Sequence, residues 1–594
     1  MKTSKTKSNT LLKPHRSFYD IPVSNGFSSA KFNTISKTID SFKNHIYSNI
    51  NETESSVNLI EYVDFKMRFN NNTEVNISNL KLCKIGYLNG TGIINAEFEY
   101  KKNKITAYIY SSFLKHNNNL TIVITGKYCS VVPEIKINPV INPCESGNSF
   151  FFTDKGRISV SQVSYKKKYA VSINHFHNEE TVSDCAINVS PEKLLNEEIN
   201  FWKQWHKKSR YPEKLTKPQK ILYSQSLAVL KMGQCREKGK SYGQILASLP
   251  PGMWNICWIR DASYAINGLI YAGHYKEAKE ALNFFLDADC GKYIKFKVDE
   301  EEVGLKIPYQ ISVCRYFGNG TEESDGGNDP NIELDGFGLF LWTLENYIKL
   351  SGDIEFLKKN WGIISEKIAD VLIVNIDYEK NVIRRESSIW ERHIRSNGKE
   401  NGMKYFTYTN ITAIKGLRAS SYLAELIGNK YKQHQYSNAA ETLISGFMKH
   451  QVDEKSKIVK NSIEKKEVDS YVDGSVVESI NFEIIEKKSK IAQNTISAFD
   501  NYLKMKNRDI GYFRNCDGTH YDNQEWVVID LRIAAALKKM GYNSKSKKII
   551  KWITDQSKKN YNIIAELYNE TTADYEGAVP MCGFGPGAYI LTLW

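Results

Sequence analysis

The sequence predicts a multidomain β + α chain, a β-sandwich followed by stacked helical hairpins, and three observations carry that expectation. Short apolar runs alternate with turn residues up to about residue 190. A helical periodicity with recurring glycine stops takes over from about Pro218. Between the two, Glu192 to Lys208 reads as one helix bearing Trp202 and Trp205. At 594 residues the chain also exceeds what one hydrophobic core accommodates, so two or more domains are expected.

The β region is read from runs such as Ile105–Tyr110, Leu120–Thr125 and Tyr169–Ile173, which are rich in β-branched and aromatic residues. Clusters at Asn117–Asn119 and Pro139–Pro143 punctuate them. Many short strands separated by turn residues indicate a sandwich. The boundaries expected are 1–16 for a basic, disordered tail, 17–190 for the β-sandwich, 191–217 for a helical linker and 218–594 for the helical domain.

Within the helical region a single unit recurs: a helix ends at glycine, a few polar residues follow, and a second helix begins. It is found at Gly273, Gly352, Gly428 and Gly541. Glycine just past a helix takes the left-handed capping conformation, and Asp353 is a good N-cap for the helix after Gly352. Such hairpins must stack to bury their apolar faces, in an open superhelix or a closed ring, and periodicity does not choose between them. The loops between hairpins, Gly252–Asp261, Ser387–Asn410, Gly511–Trp526 and Glu566–Gly587, are long and hold Trp, Arg, Asp, Glu, Tyr and Gly. Long loops in compact domains usually carry function.

Composition narrows the function. Hydrophobic content is 41% and charged content 25%, ordinary for a globular protein. The net charge of +13 comes from scattered lysines such as Lys538, Lys539, Lys545, Lys547 and Lys548, read as solvated helix faces rather than a nucleic-acid surface. No stretch approaches the ~18 apolar residues of a membrane span, and no apolar segment follows the N-terminal lysines as in a secretory signal. The ten cysteines lie apart with no zinc spacing, so they are read as reduced thiols in the cytoplasm. GxSxG, Walker, HExxH and dinucleotide patterns are all absent. Gly583–Gly587 lacks a lysine and is read as a tight loop rather than a phosphate cradle.

Four motifs carry candidate chemistry. Ser388-Ile389-Trp390-Glu391-Arg392 sets a carboxylate between an indole and a cation, and Ala565-Glu566-Leu567-Tyr568 sets another between apolar and aromatic neighbours. One protonated and one ionised carboxyl are what an inverting glycosidase needs, about 6.5–9.5 Å apart. Taken singly, each could equally be a surface glutamate. Trp258-Ile259-Arg260-Asp261 offers paired hydrogen bonds to sugar hydroxyls beside an indole platform; alternatively Asp261 is only a helix cap and Arg260 a surface ion pair. Gly511-Tyr512-Phe513-Arg514, followed by Asp517–Asn523, could wall the same pocket or be a plain connector.

Together and in this order, the motifs Trp258–Asp261, Ser388–Glu391, Gly511–Arg514 and Glu566–Tyr568 resemble glycoside hydrolase family 15, the glucoamylases and their prokaryotic two-domain relatives. The resemblance covers roughly Pro218 to Trp594. It implies an (α/α)6 toroid behind the β-sandwich, and an exo-acting, inverting hydrolase that releases β-glucose from α-glucans or oligosaccharides. It implies Glu391 as general acid and Glu566 as general base. It further implies Trp258, Arg260, Asp261, Trp390, Arg514 and Tyr568 as substrate-binding residues. No redox or metal cofactor is implied; a structural Ca²⁺ is compatible with the family but nothing in the sequence indicates one. No nucleic-acid or membrane partner is expected. Two departures, Arg392 where fungal members carry an acid and no Trp in Gly327–Glu333, leave the linkage open among α-1,4, α-1,6 and trehalose-like substrates. A trehalase or isomalto-oligosaccharide hydrolase, a disaccharide phosphorylase and a non-catalytic glucan-binding protein are the alternatives. Glu566 speaks against the phosphorylase, which needs no water-activating base.

Overall fold

The computed structural model describes residues 18–70, 72–138, 144–145, 150–177, 187–298, 301–324, 330–392, 402–516 and 519–594. The expected tail 1–16, His393 and Asp517-Gly518 lie outside them.

Two antiparallel sheets form the N-terminal region. The first runs in the order Asp20–Ser24, Ser29–Asn33, Thr38–Lys43, Ile60–Arg68, Ser130–Ile137, with Glu74–Asn76 paired to Ile60–Arg68. The second has eight strands, Cys144–Glu145, Phe150–Thr153, Gly156–Tyr165, Lys168–Phe176, Asn118–Gly126, Asn103–Tyr110, Ile94–Tyr100 and Lys81–Tyr87. The three runs singled out in the sequence are all strands of this second sheet. Ile105, Ala107 and Ile109 are buried with half-exposed residues between them, the period-two alternation of a strand with one wet face. Ile122, Val123 and Ile124 are buried in succession, as befits a central strand.

The helices are α1 (Pro191–His206), α2 (Lys217–Met232), α3 (Ile259–Tyr271), α4 (Tyr275–Asp287), α5 (Asp335–Ser351), α6 (Ile354–Ile364), α7 (Asp370–Val374), α8 (Thr407–Leu426), α9 (Lys430–Gly446), α10 (Val468–Tyr471), α11 (Glu478–Asn481), α12 (Lys490–Ala498), α13 (Val527–Lys539), α14 (Asn543–Lys559) and α15 (Ala588–Leu593). The expected hairpins are present. Gly273, Gly352, Gly428 and Gly541 have φ of 83°, 73°, 79° and 89°, the left-handed cap that ends each first helix. Asp353 accepts from the Phe356 N–H at 3.1 Å as the N-cap of α6.

Burial differs within a hairpin. From Ile259 to Ile270 every residue of α3 is buried, whereas its partner α4 shows one apolar face. The pairs α5–α6, α8–α9 and α13–α14 follow the same rule, an inner helix buried nearly all round and an outer one half wet. The last helix, α15, packs on α2, α3 and α13, so the chain's end returns to the start of the helical region. Gly583–Gly587, expected as a tight loop, is instead a wide helical turn in which the Gly587 N–H reaches the Cys582 carbonyl at 2.9 Å.

Helix α1 joins the two regions. Trp202 and Trp205 are buried, with Trp202 edge-on to Phe113 of the β region at 5.1 Å and the Trp205 N–H on Glu277 of α4 at 2.8 Å. Among the described residues no disulfide is formed, and no described helix is long and apolar enough to cross a membrane.

Candidate active site

The loop Gly252–Asp261 brings two indoles to one place. Trp254 and Trp258 meet edge to face at 5.8 Å. Trp258 donates its N–H to Glu391 Oε1 at 2.8 Å, and Trp254 donates to both oxygens of Glu566, at 3.2 and 3.1 Å. One pair of touching rings therefore holds both carboxyl groups from the sequence motifs, although Trp254 and Glu566 are 312 residues apart.

Glu391 sits at the mouth, its side chain 26% exposed. Its φ is 54°, and that of Ser388 is also 54°. Both residues are in the left-handed region, which costs a residue other than glycine on the order of 1 kcal/mol and so marks a backbone held by its surroundings. The holding bonds are visible: the Ser387 N–H donates to the Ile332 carbonyl at 2.9 Å, and the Ile332 N–H to Ser387 Oγ at 3.1 Å. Arg260 Nη2 donates to the same Oε1 of Glu391 at 3.1 Å. The other oxygen, Oε2, accepts from no described residue.

Arg260 is the cation of this wall. Its Nη1 reaches Glu333 at 2.5 Å and Asp335 at 3.3 Å, so one buried guanidinium serves three carboxyl groups. Burial pushes Glu333 well above the usual carboxylate range and raises Asp335, with Arg260 opposing in each case. Burial also drives nearby Glu386 up to about 8. Asp261 does not cap α3: the helix begins beside it at Ile259 and the aspartate is buried in the first turn. Burial raises Asp261 to about 7, against Arg260 and with help from the charges of both Glu566 and Glu391.

Glu566 is 6% exposed and fully bonded. Besides Trp254, the Tyr521 hydroxyl donates to Oε1 at 2.6 Å and the Ala578 N–H to Oε2 at 2.8 Å. Burial raises its pKa, while these donors and Arg514 pull it back toward the ionised form. Gly577 has φ of 66°, and a Cβ there would collide with the Glu566 carboxylate, so the position needs glycine twice over.

Arg514 lies over Trp390 at 4.6 Å and over Trp526 at 4.4 Å, and its Nε is paired with Asp522. Trp390 itself gives its N–H to Asp473 at 2.8 Å. Thus Trp258 and Arg260 hold Glu391 on one side of the indole pair, and Arg514, stacked on Trp390, adds its charge to the donors around Glu566. Tyr568, expected to bind substrate, is fully buried; it packs on Tyr575 at 5.9 Å and has Ser557 and Glu525 as neighbours.

A cavity of about 540 Å³ opens beside the two indoles, lined also by Arg315, Lys292 and, from the β region, Ser48 and Asn49. Ser48 is fixed there by its hydroxyl on Asn255 at 2.7 Å and its N–H on the Asn255 carbonyl at 3.0 Å. Arg315 stacks over Trp258 at 4.7 Å. Sequence reasoning placed Tyr521 only within a stretch that could wall the pocket, and assigned no role to Trp254, Glu333 or Ser48. Trp254 lay inside a loop already marked as functional, whereas nothing local marks Glu333 or Ser48.

Among the described residues, Cys314, Glu333 and Glu391 form the one group close enough to share a metal ion, within 4.8 Å. Arg260 bonds both carboxylates and already supplies the countercharge, and burial holds the Cys314 thiol well above its usual pKa, so the donor set does not suit a cation.

The model of glycosyl hydrolases family 15 matches residues 226–513. A curated relative, the uncharacterized glycosyl hydrolase MJ1610 of Methanocaldococcus jannaschii, is 22% identical over 244 residues. That stretch is 38% of this chain and 36% of the relative, so the chain matches little more than a third of that protein. Among solved structures, a bacterial glucoamylase complexed with acarbose has the same fold, with a TM-score of 0.66 at 12% identity over 96% of this chain and 92% of that one. The helical region over residues 226–513 thus matches glycosyl hydrolases family 15, and the chain has the fold of that bacterial glucoamylase along nearly its whole length.

Proposed function

We propose that the chain is an inverting exo-acting α-glucosidase, releasing β-glucose from non-reducing ends of α-glucans or short oligosaccharides, with Glu391 as general acid and Glu566 as general base. The observation that carries this reading is the pair of touching indoles holding the two carboxyl groups in different environments. We further read the inner and outer helices, with α15 returning to α2, as the (α/α)6 toroid of the family, and residues 17–190 and 218–594 as its two domains.

The chemistry follows from the bonding. Both donors to Glu391 use Oε1, which leaves Oε2 to carry the proton that passes to the glycosidic oxygen. Glu566 accepts from three groups at both oxygens, a setting that favours the carboxylate. It takes a proton from the attacking water as oxygen bonds to the anomeric carbon from the face opposite the leaving group. Attack from that face inverts the centre and yields β-glucose. Arg260, Asp261 and Arg514 would grip the hydroxyls of the terminal glucose, with Trp258 and Trp390 as apolar faces. The cavity beside Trp254 and Trp258 would take the departing sugar.

Glucose release from maltose, isomaltose, trehalose and glycogen, followed by NMR with and without phosphate, tests the reading. β-Glucose is expected first, without phosphate, and acarbose is expected to inhibit. Sugar phosphate as product, or α-glucose first, would overturn it. Glu391→Gln and Glu566→Gln are each expected to lower the rate about 10²–10⁴-fold in a folded protein, as loss of a transition-state acid or base does.

A further inference from the structure

One cavity lies away from the two carboxyl groups. It lies between the β region and the helical region, about 1260 Å³ in volume, ample for a small molecule. Its walls come from the turn at Phe27, the segment Phe113–Asn118, α1, the end of α2 and the stretch after it. Phe113 and Phe201 stack face to face at 5.1 Å, with Trp205 beside them, giving an apolar floor.

The charge around this floor is unbalanced. Each lining carboxylate has a partner: Glu277 pairs with Lys231 at 2.9 Å, Glu280 with Lys276 at 3.9 Å, and Glu237 accepts from His45 and from the Tyr47 hydroxyl at 2.6 Å. Four lining cations, Lys115, Lys208, Arg236 and Lys238, have no carboxylate partner among the described residues. Three of them are lysines on the rim and solvent screens them. Arg236 is different. It is half-buried, anchored by Nη1 on the Asn25 carbonyl at 3.1 Å, and lies 5.0 Å from the Phe27 ring and 5.3 Å from the Phe113 ring. Burial lowers its pKa, the mark of a desolvated cation whose neighbouring acids compensate it incompletely. A fixed guanidinium against aromatic rings, in a cavity that three lysines without a carboxylate partner also line, matches an anion attached to a flat or apolar body.

We propose that this interdomain cavity binds a phosphorylated small molecule, its phosphate on Arg236 among Lys115, Lys208 and Lys238 and its ring on the Phe113–Phe201 floor. Such a ligand would touch both regions of the chain at once and stabilise their union, because it binds only the assembled cavity. The site is separate from the two carboxyl groups, and the proposal stands whether or not the chain hydrolyses glucosides.

Calorimetric titration of the full chain with a hexose phosphate, a nucleoside diphosphate and inorganic phosphate tests it. At least one of the two ring-bearing probes is expected to bind more tightly than inorganic phosphate, and which one does identifies the ring. Arg236→Gln is expected to weaken that binding about tenfold or more. The double change Lys208→Gln with Lys238→Gln, at exposed positions that do not endanger folding, is expected to weaken it several-fold at an unchanged melting temperature. Glu391→Gln is expected to leave it intact. Absence of binding by all three probes at millimolar concentration, affinity unchanged in both cavity variants, or loss of binding in Glu391→Gln would each overturn the proposal.

Discussion

At Glu566 two opposing effects meet on one side chain. Burial disfavours its charged form, whereas Tyr521, Ala578 and Trp254 donate to it and favour that form. The proposed base must be ionised to work, so its pKa sets the acid limb of the pH profile. Tyr521→Phe deletes a 2.6 Å hydrogen bond that stabilises the carboxylate. The pKa of Glu566 should rise and the acid limb of kcat/KM should move to higher pH, by up to about one unit for a charge-assisted bond of ordinary strength. A pH–rate profile checks this; a limb that stays in place would mean that Tyr521 does not act through the base. The motifs Trp390-Glu391 and Glu566 were legible because a carboxyl beside an aromatic in a long loop is a local pattern. The donors that orient them were not, since Trp254 reaches Glu566 across 312 residues and Glu333 reaches Arg260 across 73.

Helix α1 shows how an element carries its own pH dependence. Glu198 on its buried face accepts from the Ser112 hydroxyl at 2.7 Å, and burial raises its pKa to about 7. The unfolded value is near 4.5, so between the two pH values the folded chain holds a proton that the unfolded chain has lost. Stability from this group is therefore complete below about pH 4.5 and falls as pH rises to about 7, by at most roughly 3 kcal/mol. In Glu198→Gln that contribution to the slope is absent. Thermal melting of both proteins across pH 4.5 to 8 should show the wild type losing more stability over this window; parallel curves would exclude the assignment. The hairpins themselves were readable because glycine at a helix end is backbone chemistry within a few residues. The Gly583–Gly587 turn was not, because its form depends on close packing against Asp261 and Tyr264 of α3, where side chains would clash.

Across the whole molecule one apolar cluster runs without a break from Ile21 in the first sheet, through Trp202 and Trp205, to Ile590 in the last helix. The two regions should then unfold together rather than as independent domains. Trp202 is 1% exposed at the seam. Trp202→Ala is expected to cost about 3–5 kcal/mol, as for other buried large-to-small changes, and to lower the denaturation midpoint of both regions at once. Circular dichroism in the strand and helix bands, read along one denaturant series, checks it. A helical region that keeps its midpoint while the strands melt would show the seam to be weak. The β region also reaches the cavity next to Trp254 through Ser48 on Asn255, so its loss should alter that cavity as well as stability.

The sequence by itself determined what depends on near neighbours: strands from alternation, hairpins from glycine caps, and four motifs whose order marks the family. Three-dimensional packing alone decided which face each side chain presents. Tyr568 stands two residues from Glu566 and shares its motif, yet it is fully buried with Ser557 and Glu525 as neighbours while Glu566 meets Trp254. It also decided that Arg260 and Asp261, which a helix start would leave in solvent, are buried among acids that raise Asp261 to about 7. The reason is physical. Capping and alternation act over a few residues of backbone, whereas burial, desolvation and the pairing of charges arise only when distant segments exclude water together.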